Sequence, residues 1–359
     1  MNHQDQLSQR ESSATAWERL TAGLNTIGFT PLGLALIVLL ALLPFIPPFN
    51  QEFMLRWLIM GGFLAAQAVA FDFTAGYINV VNFGFAAILG VGAYTSAILA
   101  NTSPVLAIRP GISPWIGIWV GALLAGIIGL GLGILTLRLR GIFAAVMAWF
   151  VGIALMGLVR NLTPLTRGPL GMAPPSFLET TSNRPYFYII LLMMLVIYIV
   201  LRLITRSHFG LAFRAIGQNF DAARASGINP TYYRVFNFTV SAFFAGWLGG
   251  FYAHYFGALT PQTLMHTSKT VEVLALVYIG GRGSLWGGMA VAFPFVFFIE
   301  YLRSNLTALP GLHLVIYGVL MILVMVYYPG GLAGLYYWAR QKLTRKSTGT
   351  QSSLQQAGV

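Results

Sequence analysis

No cysteine occurs in the 359 residues. That excludes disulfides, thiolate metal sites and a cysteine nucleophile. Charge is nearly as scarce: Asp, Glu, Lys and Arg make up 8% of the chain, where a water-soluble domain carries about a quarter. No Gly-x-x-x-x-Gly-Lys-Ser/Thr phosphate loop is present, so ATP must be handled elsewhere. Paired acids, a Ser/His pairing and metal-ligand spacing are missing too, so no catalytic residue, metal or cofactor is expected and the chain reads as no enzyme. Residues Met1–Leu24 are polar and have no short apolar core ending in a small-residue cleavage site, so they are not expected to be a signal peptide.

What is present is apolar. Such residues make up 57% of the chain and mean hydropathy is +0.74. About ten stretches, each near the length needed to cross a hydrocarbon core of about 30 Å, fill the chain from Pro31 to Tyr328. They are Pro31–Phe49, Phe53–Phe71, Phe83–Ala100, Trp115–Leu137, Ile142–Arg160, Tyr186–Ile204, Val235–Phe256, a short one at Thr270–Ile279, Trp286–Tyr301 and His313–Tyr328. Pro329-Gly330-Gly331 then ends the last helix. The fold class expected is all-α and polytopic, with about ten transmembrane or re-entrant helices. The expected division is a cytoplasmic segment at 1–30, a transmembrane domain at 31–335 with a polar loop at 205–234, and a disordered tail at 336–359.

With the N-terminus inside and ten crossings, 14 basic residues fall inside and 7 outside. That is the bias of cytoplasmic loops, and it places both termini in the cytoplasm. The formal net charge of +12 then reflects anionic lipid, not nucleic acid. Whether the short eighth stretch crosses or re-enters stays open.

Small residues recur every fourth position in two helices: Gly117, Gly121, Ala125, Gly129, Gly133, and Ser241, Ala245, Gly249, Ala253, Gly257. Each ladder makes one smooth face for helix packing in lipid. Gly129-Leu130-Gly131-Leu132-Gly133 lies inside an apolar helix and is no dinucleotide loop.

Three segments look functional. Thr74–Gly84 interrupts apolar helix with Asn79, Asn82, Gly76 and Gly84. It reads either as an irregular stretch lining a substrate path or as a tight turn with asparagine caps. Ile279–Gly288 is a glycine-rich reversal whose one charge, Arg282, either binds an anion or anchors the turn to headgroups. In Thr205–Arg234, Asn219 caps a short alanine-rich helix, Asp221 lies in its first turn, and Gly227 ends it, between Arg214, Arg224 and Arg234. Such a helix suits another protein's groove; as a solvated connector it would do nothing. Intramembrane ionisable residues are few: Asp72 and His254 near helix ends, Lys269 three residues before Glu272, and Glu300 three before Arg303. They form no proton relay across the bilayer.

Five motifs in order make the chain resemble the permease subunits of branched-chain amino acid ABC transporters, the LivM-like branch. They are Gly90-Val91-Gly92-Ala93-Tyr94-Thr95; Arg140-Gly141-Ile142-Phe143; Thr166-Arg167-Gly168-Pro169-Leu170-Gly171, with arginine at a usual glycine; Asp221-Ala222-Ala223 followed after three residues by Gly227, with aspartate for the usual glutamate; and Gly280-Gly281-Arg282-Gly283-Ser284-Leu285-Trp286-Gly287. Val81-Asn82-Phe83-Gly84 looks more like the sister permease. The resemblance implies a bacterial inner-membrane importer for branched-chain amino acids or a related small polar solute. Its partners would be a second homologous permease, two cytoplasmic ATPases, a periplasmic binding protein and lipid. It also implies an ATPase-coupling segment at Arg214, Asp221, Ala222, Ala223 and Gly227. Substrate-pathway candidates are Gly76, Asn79, Asn82, Gly84, Tyr94, Gly281, Arg282 and Gly283. The competing reading is an ion-coupled secondary transporter that depends on Asp72 or Glu272.

Overall fold

Each apolar stretch is helical in the computed structural model, which describes residues 31–102, 110–139, 141–305, 312–328 and 330–335. The segments 1–30 and 336–359, with Arg109, Arg140, Pro329 and the basic residues of both termini, lie outside the described residues. The α-helices longer than four residues are α1 (Pro31–Leu42), α2 (Glu52–Ala75), α3 (Phe85–Leu99), α4 (Pro114–Leu135), α5 (Ile142–Asn161), α6 (Arg184–Arg206), α7 (His208–Gln218), α8 (Phe220–Ala225), α9 (Pro230–Phe256), α10 (Thr267–Gly280), α11 (Trp286–Asn305) and α12 (Leu312–Tyr327). Among the described residues there is no strand; Met172 and Leu259 form an isolated antiparallel bridge.

Boundaries follow local chemistry. The first stretch stops being α-helical at Leu42, seven residues before the expected end, because Pro44, Pro47 and Pro48 follow. α9 starts five residues before the expected Val235. Asn229 accepts a hydrogen bond from the Thr231 N–H as its cap, and Pro230 opens the first turn.

Of the described helices, α2, α4, α5 and α6 are both long and apolar enough to cross a membrane. α2 lies at the centre, with 94% of its most apolar window buried, while α5 lies at the edge with 28%. Glu52 at the start of α2 accepts hydrogen bonds from the Asn183 N–H and the Ser182 hydroxyl, so α2 and α6 begin at the same end. α9 runs antiparallel to α2: Ser241 donates to the Ala70 carbonyl at 2.7 Å and Asn237 to the Phe73 carbonyl at 2.8 Å.

Close backbone approach binds this core. A Cβ on Gly121 would strike the Gly92 carbonyl, and one on Gly249 the Leu89 carbonyl. Gly117 lies against Ser96, Gly129 against Ala242 and Phe238, and Gly133 against Val235. Ala245 and Ala253 are buried on the α9 face that carries Gly249. That face meets α2 and α3, whereas α4 packs on a different face of α9, built around Gly246 and Gly250. The four-residue count in the sequence found only the first of these faces.

Candidate functional site

α3 and α10 are too short to span a hydrocarbon core: 15 and 14 residues reach about 21–22 Å. Their first turns lie side by side. The Ala86 N–H donates to Thr270 Oγ1 at 3.1 Å, and that hydroxyl donates to the Phe83 carbonyl at 3.2 Å. From there the two helices diverge. α3 runs toward the end where Ser96 meets His254, and α10 runs toward the end where Gly283 meets Gly76. They are half-helices whose N-termini meet inside the bundle, the arrangement of discontinuous helices at solute paths.

The chain between α2 and α3 is irregular. Asn79 takes φ +57° and the side chain of Asn82, itself buried, accepts from the Gly84 N–H at 3.0 Å. Gly84 lies directly against the Ala148 carbonyl of α5. The Asn82 side chain therefore closes a local turn just before α3, whose own N-cap, Gly84, has no side-chain cap, while the segment as a whole interrupts two helices within the protein, as a path would.

At the far end of α2, Asp72 is 3% exposed. Its two carboxylate oxygens accept from the Gly283 and Leu285 N–H groups, each at 2.8 Å. Burying a carboxylate costs several kcal/mol unless hydrogen bonds replace its water; two backbone amides supply them here. Arg282 then reaches Asn79 Oδ1 at 2.8 Å and lies over the Tyr278 ring. A Cβ on Gly76 would collide with the Gly283 backbone, so side chains are barred where the two loops touch. Gly281, at φ +102°, faces Gly330 and Ala333. Gly76, Asn79, Arg282, Gly283 and, beside them, Gly281 thus form one junction. Asn82 and Gly84 belong to the α3–α5 contact instead. Tyr94 lies near the opposite end, donating to the Leu259 carbonyl at 3.1 Å.

The polar connection between α6 and α9 folds against this junction. Gly217 of α7 approaches the Tyr77 carbonyl closely, and the Arg214 guanidinium lies 5.4 Å from the Tyr77 ring centroid. Asn219 accepts from the Asp221 and Ala222 N–H groups at 3.1 and 3.0 Å, capping α8. Ala223 is buried, while Asp221, Ala222, Ala225 and Gly227 are exposed, with Gly227 at φ +82°. Buried Arg234 donates to the Leu139 carbonyl at 3.1 Å, tying this connection to the α4–α5 hairpin.

Two groupings gave no sequence signal because their members are far apart in the chain. One is the Asp72 clamp. The other is His254, whose ring nitrogens lie 2.8 Å from Ser96 Oγ and 2.6 Å from the Pro175 carbonyl. A carbonyl only accepts, so Nδ1 carries the proton and Nε2 accepts from Ser96. In the nearby loop, Arg167 stands at φ +58°, a left-handed conformation that glycine adopts at no steric cost.

These features define a multi-pass membrane protein whose broken helices meet a polar connection at one end. The family model described as "Branched-chain amino acid transport system / permease component" matches residues 53–325, and the chain belongs to that family. It is 28% identical over 278 residues to the high-affinity branched-chain amino acid transport system permease protein LivM of Escherichia coli, and equally to that of Salmonella typhimurium. Each match covers 69% of this chain and 62% of the relative, so the chain spans less than two thirds of either. No solved structure matches.

Proposed function

We propose that this chain is the permease subunit of an ATP-driven importer in a bacterial inner membrane, moving branched-chain amino acids or a related small polar solute. It pairs with a second permease, receives solute from a periplasmic binding protein, and is driven by two ATPases that grip the connection between α6 and α9. Both termini are cytoplasmic in this reading. Residues 31–335 form the transmembrane domain, with the segments before and after it in the cytoplasm.

One observation carries the reading. The exposed helix α8 is joined through the single extended residue Asn219 to α7, whose Gly217 and Arg214 bear directly on Tyr77 at the start of the broken segment. A push on α8 is passed into the irregular stretch between α2 and α3 and, through Arg282 and Asn79, into the glycine loop before α11. Of the two carboxylates an ion-driven transporter would depend on, Asp72 already has both oxygens on backbone amides and Glu272 is paired with Lys269.

The test is Ala222→Glu, on the exposed face of α8. In the assembled transporter, uptake should fall at least about tenfold, a coupling loss of about 1.4 kcal/mol, while membrane insertion is unchanged. Unaltered uptake would reject the docking role of α8, and uptake by the isolated chain would reject the importer reading.

A further inference from the structure

The loop that leads into α11 is held in a conformation its sequence does not favour. Gly281, Gly283 and Leu285 take φ of +102°, +79° and +61°. Glycine adopts such values at no steric cost, but at Leu285 the Cβ crowds the carbonyl that follows. Among the described residues only two other non-glycine residues have positive φ, Asn79 and Arg167. Leu285 alone of the three is buried, at 0% exposed.

Asp72 explains why the loop stays there. With Ser284 between them on the negative-φ side, the Gly283 and Leu285 N–H groups turn toward one point, the concavity that successive amides make for an anion. The Asp72 carboxylate fills it, 2.8 Å from each. The sequence also offers a second arrangement. Ser284 Oγ already accepts from the Gly287 N–H at 3.0 Å, the spacing of a helix cap and its third residue. A helix capped at Ser284 begins at Leu285, in the right-handed region, one residue before Trp286 where α11 starts. There the Leu285 N–H needs no partner within the helix. Only its bond to Asp72 opposes that start.

Strained residues persist where their surroundings over-determine them, and they gather at switches. The surroundings here include a moving part of the importer reading. Asp72 and Gly76 share the last turn of α2, the Gly76 N–H donating to the Asp72 carbonyl at 2.7 Å, and the next residue, Tyr77, carries the contacts of Gly217 and Arg214. A shift of α7 tilts that turn and draws Asp72 from the loop. We propose that Asp72 and Leu285 form a strained latch, closed in this structure, which opens in each transport cycle as α11 begins one residue earlier. Opening removes two hydrogen bonds from Asp72; the relaxation of Leu285 and the longer helix offset part of that loss, so the two states stay close enough to interconvert. This rests on the importer reading and adds to it what the connection between α6 and α9 releases.

The test compares Leu285→Gly with Leu285→Ala in the assembled transporter, reconstituted in vesicles with ATP and binding protein. Both remove the isobutyl group, and they differ in what they tolerate at φ +61°. Glycine relieves the strain of the closed latch, so the glycine variant should unfold at the higher temperature, the reverse of the usual order. It should also take up L-leucine about tenfold more slowly than the alanine variant, the factor that corresponds to a left-handed side chain. Equal uptake with the higher unfolding temperature would mean strain that transport does not use, and overturns the latch; so does an alanine variant as stable as the glycine one. A second arm needs no change at Leu285 and decides the matter even where neither variant assembles. Asn79→Cys with Arg282→Cys puts the only two thiols of this chain across the junction that those side chains now bridge. Joined by a short bifunctional methanethiosulfonate, the transporter should stop, and uptake should return on reduction. Uptake that continues while the two are joined overturns the latch and leaves the importer reading standing. Wild-type vesicles that take up nothing overturn the importer reading and the latch with it.

Discussion

α2 and α5 are both apolar enough to cross a bilayer, yet they do opposite work. α5 exposes Ile142, Phe143, Phe150 and Ile153 along its length, as a helix facing lipid would. α2 is enclosed by α6, α9, α10 and α11, and carries Gln67 and Asp72 where α5 carries no acid or amide before Asn161. In lipid there is no hydrophobic drive between helices, so side-chain polarity and small residues, not apolarity, mark the inside. The more polar of two membrane helices is the one whose residues hold the machine together.

Four substitutions sharpen or break that contrast. The largest effect belongs to Gly249→Leu, since even a Cβ at this position strikes the Leu89 carbonyl. Overpacking of this kind costs about 1–3 kcal/mol or more, and folded, detergent-extractable protein should be largely lost on size-exclusion chromatography. Asp72→Ala removes two hydrogen bonds to a carboxylate. It should cost about 2–3 kcal/mol, read as a lowered Tm of the purified protein, and Asp72→Asn should recover part of it. Ser96→Ala removes the donor to His254; a loss of about 1 kcal/mol is expected, again in thermal unfolding. Phe150→Leu, on the exposed face of α5, should change stability by less than about 0.5 kcal/mol. If Phe150→Leu proved as damaging as Asp72→Ala, the division between the two helices would be wrong.

Much of this was legible in the sequence because period and length are local signals. The ends of α4, α5 and α6 fall within about two residues of the apolar stretches, and the Asn219 cap of α8 was readable from four consecutive residues. The small-residue ladders indicated close packing but not partners: Gly246 and Gly250, one position from the counted ladder, are what α4 meets. The roles of Asp72, Thr270 and His254 were not legible, since their partners lie 79 to 213 positions away. Lys269 and Glu272 were legible as a pair from their spacing.

The central claim is that the end carrying α8 faces the cytoplasm and is held there by an ATPase. A lone cysteine at Ala225→Cys, exposed on that helix, tests it in oriented membrane vesicles containing the assembled transporter. The account predicts labelling by an impermeant thiol reagent only from the cytoplasmic face, with protection when the ATPase is bound and a cross-link to it. Labelling from the periplasmic face would contradict it.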